Sequence, residues 1–138
     1  MRIVGTGIDK EEIMKLDYAT NLVDKVNSDS TSFVGSFGVY PRRENSFVAV
    51  MPENINFQDL ANTSAPKEYL LRVHILTRFK DWTDTAPRFQ EVLDYYNETL
   101  FKHFEGHNIV SGKFITTAVP DGRAVGLEVM LEIASGNM

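Results

Sequence analysis

The sequence predicts an α+β domain in the order α-β-β-β-α-β-β, with a mixed or antiparallel sheet and both helices packed on one of its faces. Three observations carry this reading. Two stretches repeat apolar residues at steps of three or four, five shorter ones alternate or run apolar between turn residues, and no β-α-β-α alternation joins them. At 138 residues the chain is the size of a single domain and long enough to bury a core without staples.

Residues 1–8 form a Gly-rich lead, either a loose arm or a short strand. Asp9 and Glu12 then stand three apart, the spacing of a capping box at a helix start. Behind them Ile13, Leu16, Ala19, Val23 and Val26 fall on one stripe of an amphipathic helix. The polar run NSDSTS at 27–32 ends it, because short polar side chains compete for backbone hydrogen bonds.

From residue 32 the period changes to two. SFVGSFGVY (32–40) reads as a strand closed by Pro41, and SFVAVMP (46–52) as a second closed by Pro52. PRREN between them reads as a hairpin connection. The polar stretch 53–66 has no useful period, and a loop of that length is functional or mobile more often than not. EYLLRVHIL (68–76) alternates again, with Tyr69, Leu71, Val73 and Ile75 on one face and Arg72 and His74 on the other.

Residues 77–85 read as a connection, with Asp84 or Thr85 capping a second helix and Pro87 in its first turn. Phe89, Val92, Leu93, Tyr96, Leu100 and Phe104 follow the helical period, and Gly106 lies where a left-handed C-cap belongs. A strand hairpin ends the chain, IVSGKFITTAV (109–119) meeting RAVGLEVMLEIA (123–134) across Pro120-Asp121-Gly122. Gly112 reads as a bulge or a close backbone approach.

Composition excludes several classes of function. The net charge of −5 argues against non-specific nucleic-acid binding. The absence of cysteine removes disulfides, thiol catalysis and thiolate metal sites. No apolar run approaches the roughly 18 residues that span a bilayer, and the first residues lack the apolar block of a signal peptide, so no membrane partner is expected.

Motifs for chemistry are equally thin. His103 and His107 have the i,i+4 spacing of metal ligands, but Gly106 interrupts the helix between them and no third ligand is spaced to join. His74 stands alone on a polar strand face. The serines at 28–36 lack a nucleophile elbow, and Gly5-Thr6-Gly7 lacks the Lys of a phosphate loop. Asp81 and Asp84 read as helix-start acids. The expectation is therefore a non-enzyme with no catalytic, metal or cofactor-binding residue and no cofactor.

Two features point instead to protein contact. The polar stretch 53–66 contains Asn54, Asn56, Phe57, Gln58 and Asp59. The connection after the third strand sets the aromatics Phe79 and Trp82 beside Arg78 and Lys80, and aromatic and Arg side chains dominate interface hot spots. Arg42-Arg43 adds a second small basic spot. A five-stranded open sheet also leaves two edges that invite pairing with another chain.

Two family resemblances accompany these readings. The opening IVGTGID-x-x-E-I resembles the first strand of holo-acyl-carrier-protein synthases, G-I-G-x-D-I-V-E-I, which would make Asp9 and Glu12 magnesium-binding acids. Lys10-Glu11 replaces that family's apolar pair, and its E-x-x-x-K-A helix has no counterpart here; a capped helix start is the preferred reading of these residues.

Over nearly its full length the chain resembles the tail terminator, or head–tail joining, proteins of long-tailed bacteriophages and phage-like particles. The resemblance lies in element order and in PRRENSFVAVMP, KEYLLRVHILTRF and FITTAVPDGRAVGLEVMLEIA. It implies a non-enzymatic virion protein, made in the host bacterial cytoplasm. Such a subunit forms a homo-oligomeric ring, usually a hexamer, between the tail tube protein and the head connector. DNA passes through its lumen without specific binding, which suits an acidic chain. The contact elements would then include Arg42, Arg43, the 53–66 stretch and residues 78–82. The alternatives are a small α+β ligand-binding or catalytic domain, and an adaptor that captures a partner strand at a sheet edge.

Overall fold

The computed structural model describes residues 16–57 and 66–134. Helix α1 (Asp17–Ser28) leads to strand β1 (Phe33–Phe37), then β2 (Ser46–Phe57) and β3 (Pro66–Phe79). A short 3-10 turn (Trp82–Asp84) opens helix α2 (Thr85–Tyr95). The helical path continues through a π turn (Tyr96–Leu100) and a 3-10 turn (Phe101–Phe104) before the hairpin of β4 (Asn108–Val119) and β5 (Gly122–Ala134). The chain is a single α+β domain whose five strands lie in the order β1-β2-β3-β5-β4. Among the described residues no helix is long and apolar enough to cross a membrane.

Both helices cover the same sheet face. Ala19, Leu22 and Val26 of α1, and Val92, Tyr95, Leu100 and Phe104 of the second helical run, close over Val48, Val50, Tyr69, Leu71, Val73, Ile75, Leu131 and Ile133. These are the alternate residues of the central strands, as a pleat with one covered face requires. Phe33 stacks on Tyr95 with ring centroids 3.9 Å apart and ties β1 to α2.

The stripe expected on the first helix is corrected at its start. Helix α1 begins at Asp17, Leu16 lies outside it and is exposed, and Leu22 is buried in its place. The Asp9–Glu12 capping box and the lead 1–8 fall outside the described residues. At the C-terminal end, the polar run does terminate the helix, and Ser30 turns the chain with φ 56°.

The hairpin expected at PRREN is also corrected, because β1 and β2 run parallel, from Phe33 opposite Ser46 to Phe37 opposite Val50. Gly38, with φ 81°, swings the chain off the sheet. Residues 38–45 then return across the face that the helices leave open, and β2 starts beside the beginning of β1. What draws them back is tertiary. Tyr40 packs on Phe47, and the Arg78 guanidinium donates to the carbonyl oxygens of Pro41, Arg42 and Glu44. The Arg78 contacts span more than thirty residues of chain, so local turn chemistry does not reveal them.

Pro52 does not end β2. The Val50 carbonyl accepts from Gly38 N–H on the β1 side, so the backbone of Pro52, two residues on, faces the same side. β1 has already stopped there, and proline's missing donor leaves no ladder bond unmade. The strand continues with a bulge between Pro52 and Ile55. The loop expected at 53–66 is therefore corrected: 53–57 belong to β2 and Pro66 begins β3. Likewise, the connection expected at 77–85 loses Thr77, Arg78 and Phe79 to β3.

In the second helix the period slips. Tyr95 rather than Tyr96 is buried, and the inward sequence Val92, Tyr95, Leu100, Phe104 contains one step of five. The π turn supplies that extra residue. Neither expected cap acts as one: Asp84 makes no side-chain cap bond, while Asp81 accepts from Thr83 N–H in the preceding turn. Gly106 does end the helical run with φ 86°.

The terminal hairpin forms with Val119 opposite Gly122 across Pro120-Asp121. Its irregularity sits between Ile109 and Ser111, not at Gly112. There the bulged residue is Val110, and a Cβ on Gly112 would meet nothing nearer than 3.9 Å.

Candidate functional site

The two outer strands differ in how their edges are finished. On β1 the Gly35 N–H donates to Asn27 Oδ1 at 2.8 Å and the Phe33 N–H to Thr31 Oγ1 at 3.2 Å. Side chains from α1 and its following turn thus occupy edge donors that would otherwise invite another strand. Among the described residues β4 has no such cover beyond its pairing with β5. Asn108 to Phe114 are all exposed, and Ile109, Val110 and Phe114 are large apolar members of that run.

Phe114 extends this edge toward the helices. It meets Phe89 edge to face at 5.5 Å. With Ala86, Gln90 and Leu93 the two rings line a shallow apolar groove of about 400 Å³ between α2 and β4. At the other side of the sheet Phe37, the last residue of β1, and Val39, two residues after it, are exposed. One subunit thus presents apolar side chains at both ends of its sheet.

The contact residues named from sequence end up in several places. Arg42 and Arg43 are exposed on the returning segment, and Arg42 pairs with Asp121 at 3.1 Å. Asn54 and Asn56 lie exposed on β2, with Asn56 Nδ2 3.4 Å from Glu68 Oε2. Phe57 is the last residue of β2, and Gln58 and Asp59 are outside the described residues. Phe79 is buried at the end of β3. Trp82 is 61% exposed, resting against Phe79 at 4.9 Å with the Arg123 guanidinium 5.2 Å from its ring centre.

Arg78, Phe79 and Lys80 do come together, in a polar cleft of about 560 Å³ where the ends of β2 and β3 meet the start of α2. Buried Ser46 and Thr77 also line it, their hydroxyls 2.8 Å apart. Arg88 enters from α2 but is held by Asp84 at 3.0 Å and Glu91 at 2.8 Å. The Arg78 guanidinium adds the Pro120 carbonyl, at 2.5 Å, to the three already named. Four of its five N–H donors go to joining two loops, and Lys80 beside it is exposed.

The open sheet face carries a polar network that sequence reading missed. His74 is 6% exposed, and its ring bridges Tyr40 and Glu128. Its Nε2 lies 2.9 Å from Glu128 Oε2 and its Nδ1 2.5 Å from the Tyr40 hydroxyl. A carboxylate only accepts, so Nε2 carries the proton, and Nδ1 accepts from the phenol. Glu128 also faces Lys113 at 3.6 Å and Arg72 at 4.0 Å, and Arg72 is paired with Glu53.

Burial pushes the His74 pKa down, against the pull of Glu128. The hydrogen bond from His74 in turn holds the Glu128 carboxyl below its usual range. The alternation of EYLLRVHIL put Arg72 and His74 on one face; the register of β5, which brings Glu128 opposite His74, had no local signal. A hydroxyl, an imidazole and a carboxylate in line have the order of a base-activated nucleophile. Here the phenol is itself held protonated by burial.

The other histidines make separate contacts, one polar and one aromatic. His103 Nε2 meets Asp29 Oδ2 at 2.7 Å, and His107 lies against Tyr18 with ring centroids 4.2 Å apart. Among the described residues no three His, Asp or Glu side chains converge as metal ligands. No protein-family model matches the chain, and no curated protein matches it.

Proposed function

We propose that this protein is a structural assembly subunit, a tail terminator or head–tail joining protein that closes into a homo-oligomeric ring. The observation that carries the reading is the pair of apolar sheet ends on one subunit, Ile109, Val110 and Phe114 at β4 and Phe37 and Val39 at and just after the end of β1. Two different surfaces that each need covering favour head-to-tail contact, and a head-to-tail contact whose rotation closes generates a ring. The same reading makes exposed Trp82 and the Arg42-Arg43 spot peripheral contacts. It keeps the tail tube and head connector as partners, and has DNA slide through a ring of acidic subunits without specific binding.

Native mass spectrometry and negative-stain imaging over a concentration series test it, with and without tail tube protein. Ring particles are the expected result, and Phe114→Ser is expected to reduce them while leaving the melting temperature within a few degrees of wild type. A monomer under every condition overturns the reading.

The uncovered outer edge of β4 favours a second reading, an adaptor that accepts a strand from an unlike partner by β-augmentation. Backbone amide protection of residues 108–118 separates the two. It rises with self-association in the ring, and only on adding the partner in the adaptor.

A further inference from the structure

Residues 38–45 form a strap across the open sheet face, and two anchors hold it there. One is the Arg78 guanidinium on the carbonyls of Pro41, Arg42 and Glu44. The other is Tyr40, whose ring lies over Phe47 and His74 and whose hydroxyl donates to His74 Nδ1. The remaining side chains near it, Val39 and Arg42 to Asn45, are exposed. Tyr40 is thus the strap's side chain that packs into the small cluster of Phe47, Ala49, Leu76, Val119 and Ala124.

We propose that His74 is a proton-operated latch: its neutral form fastens the strap through Tyr40, and its protonation releases Tyr40 and loosens residues 38–45 from the sheet. The proposal is independent of the ring reading above.

The hydrogen-bond chain sets the direction. With Nε2–H given to Glu128, Nδ1 is the acceptor for the Tyr40 O–H. A second proton on the ring goes to Nδ1, which then becomes a donor aimed at the phenol. The Tyr40 O–H then has to turn away from Nδ1, so the bond that fastens the strap to the neutral ring is lost.

Charge works the same way. The groups facing His74 are Tyr40 from the strap, Glu128 from β5, Lys113 and Thr117 from β4, and Arg72 from its own strand, with Glu53 of β2 paired to Arg72. Burial opposes a proton on His74 most strongly, and Arg72 and Lys113 add to that opposition against the pull of Glu128.

The sign follows from the depressed folded value. The strap's stability is fully present above the ordinary histidine value of 6.5 and is lost as pH falls below it, because the released histidine takes up a proton that the latched one resists. At about pH 5.5, one unit lower, this linkage raises the opening constant by up to about tenfold.

Hydrogen–deuterium exchange followed by mass spectrometry, corrected for intrinsic rates, tests the latch between about pH 7.5 and 5.5. In wild type the amides of 38–45 are expected to lose several-fold to about tenfold protection on acidification, while the β3–β5 ladder holds. Tyr40→Phe is expected to leave the strap loose at both values. His74→Gln is expected to make strap exchange independent of pH; if that variant fails to fold, the Tyr40→Phe comparison decides. Flat exchange in wild type overturns the proposal, and so does equal pH dependence in wild type and Tyr40→Phe.

Discussion

Gly126 of β5 lies so close to Ile75 of β3 that a Cβ at residue 126 would overlap the Ile75 carbonyl oxygen. Backbone cannot yield as a flexible side chain can, so the two central strands tolerate no side chain there. Gly126→Ala is expected to destabilise the fold by about 3 kcal/mol, the upper part of the overpacking range. Gly112→Ala, whose Cβ would make only an ordinary contact at 3.9 Å, is expected to be neutral or slightly stabilising. Urea unfolding of the pair checks this; equal midpoints would show the strand approach to be wrong.

Burial separates two leucines of similar sequence character. Leu131 is fully buried between sheet and helices, while Leu93 is half-buried at the apolar groove. Leu131→Ala is expected to cost about 3–4 kcal/mol and Leu93→Ala about 1 kcal/mol. Thermal melts with matched denaturant curves measure both, and a reversed order would place the groove inside the core.

Arg78 joins the strap to the terminal hairpin through four carbonyl oxygens. Lysine offers a point charge in place of this planar fork, so Arg78→Lys is expected to behave as a loss rather than a conservative change. A cost of about 2 kcal/mol is expected, with faster amide exchange at 41–45. Wild-type exchange in Arg78→Lys would mean that the clamp contributes little.

Alkaline stability rests on buried phenols. Burial pushes Tyr69 up to about 12 and raises Tyr18 and Tyr95 as well. A raised folded value means stability is fully present below the unfolded value of 10 and is lost as pH climbs from 10 toward 12. Absorbance at about 295 nm should show these phenols ionising together with loss of structure. The Tyr69 hydroxyl is buried without a hydrogen-bond partner among the described residues, so Tyr69→Phe is expected to be neutral or mildly stabilising and to extend the alkaline limit. A marked loss of stability at neutral pH would show that the hydroxyl has a partner.

Exposed aromatics separate assembly from folding. Trp82→Ala removes a ring that touches Phe79 and Arg123 at the surface, and is expected to cost under about 1 kcal/mol of stability. If Trp82 is a subunit contact, ring yield falls while the melting curve stays in place. Unchanged oligomer mass would remove Trp82 from the interface.

What the sequence determined by itself was the part governed by local periodicity. Alternation in Tyr69–Ile75 and Val125–Ile133 fixed which faces are buried. The polar run after Val26, and Gly106 at its left-handed cap, marked helix ends, while Pro120-Asp121 marked the hairpin. Each of these signals acts within a few residues, through side-chain direction or backbone preference.

Tertiary structure decided everything that depends on a distant partner. Parallel pairing of β1 with β2 needs Arg78, more than thirty residues away, to hold the strap back. Pro52 is accepted because β1 stops short of it, and the one-residue slip at Tyr95 exists to carry Leu100 and Phe104 onto the sheet. His74 looked solitary because its partners Tyr40 and Glu128 stand 34 and 54 residues away. A hydrogen bond or strand register of that span is a property of the packed molecule, since no short stretch of chain contains both of its ends.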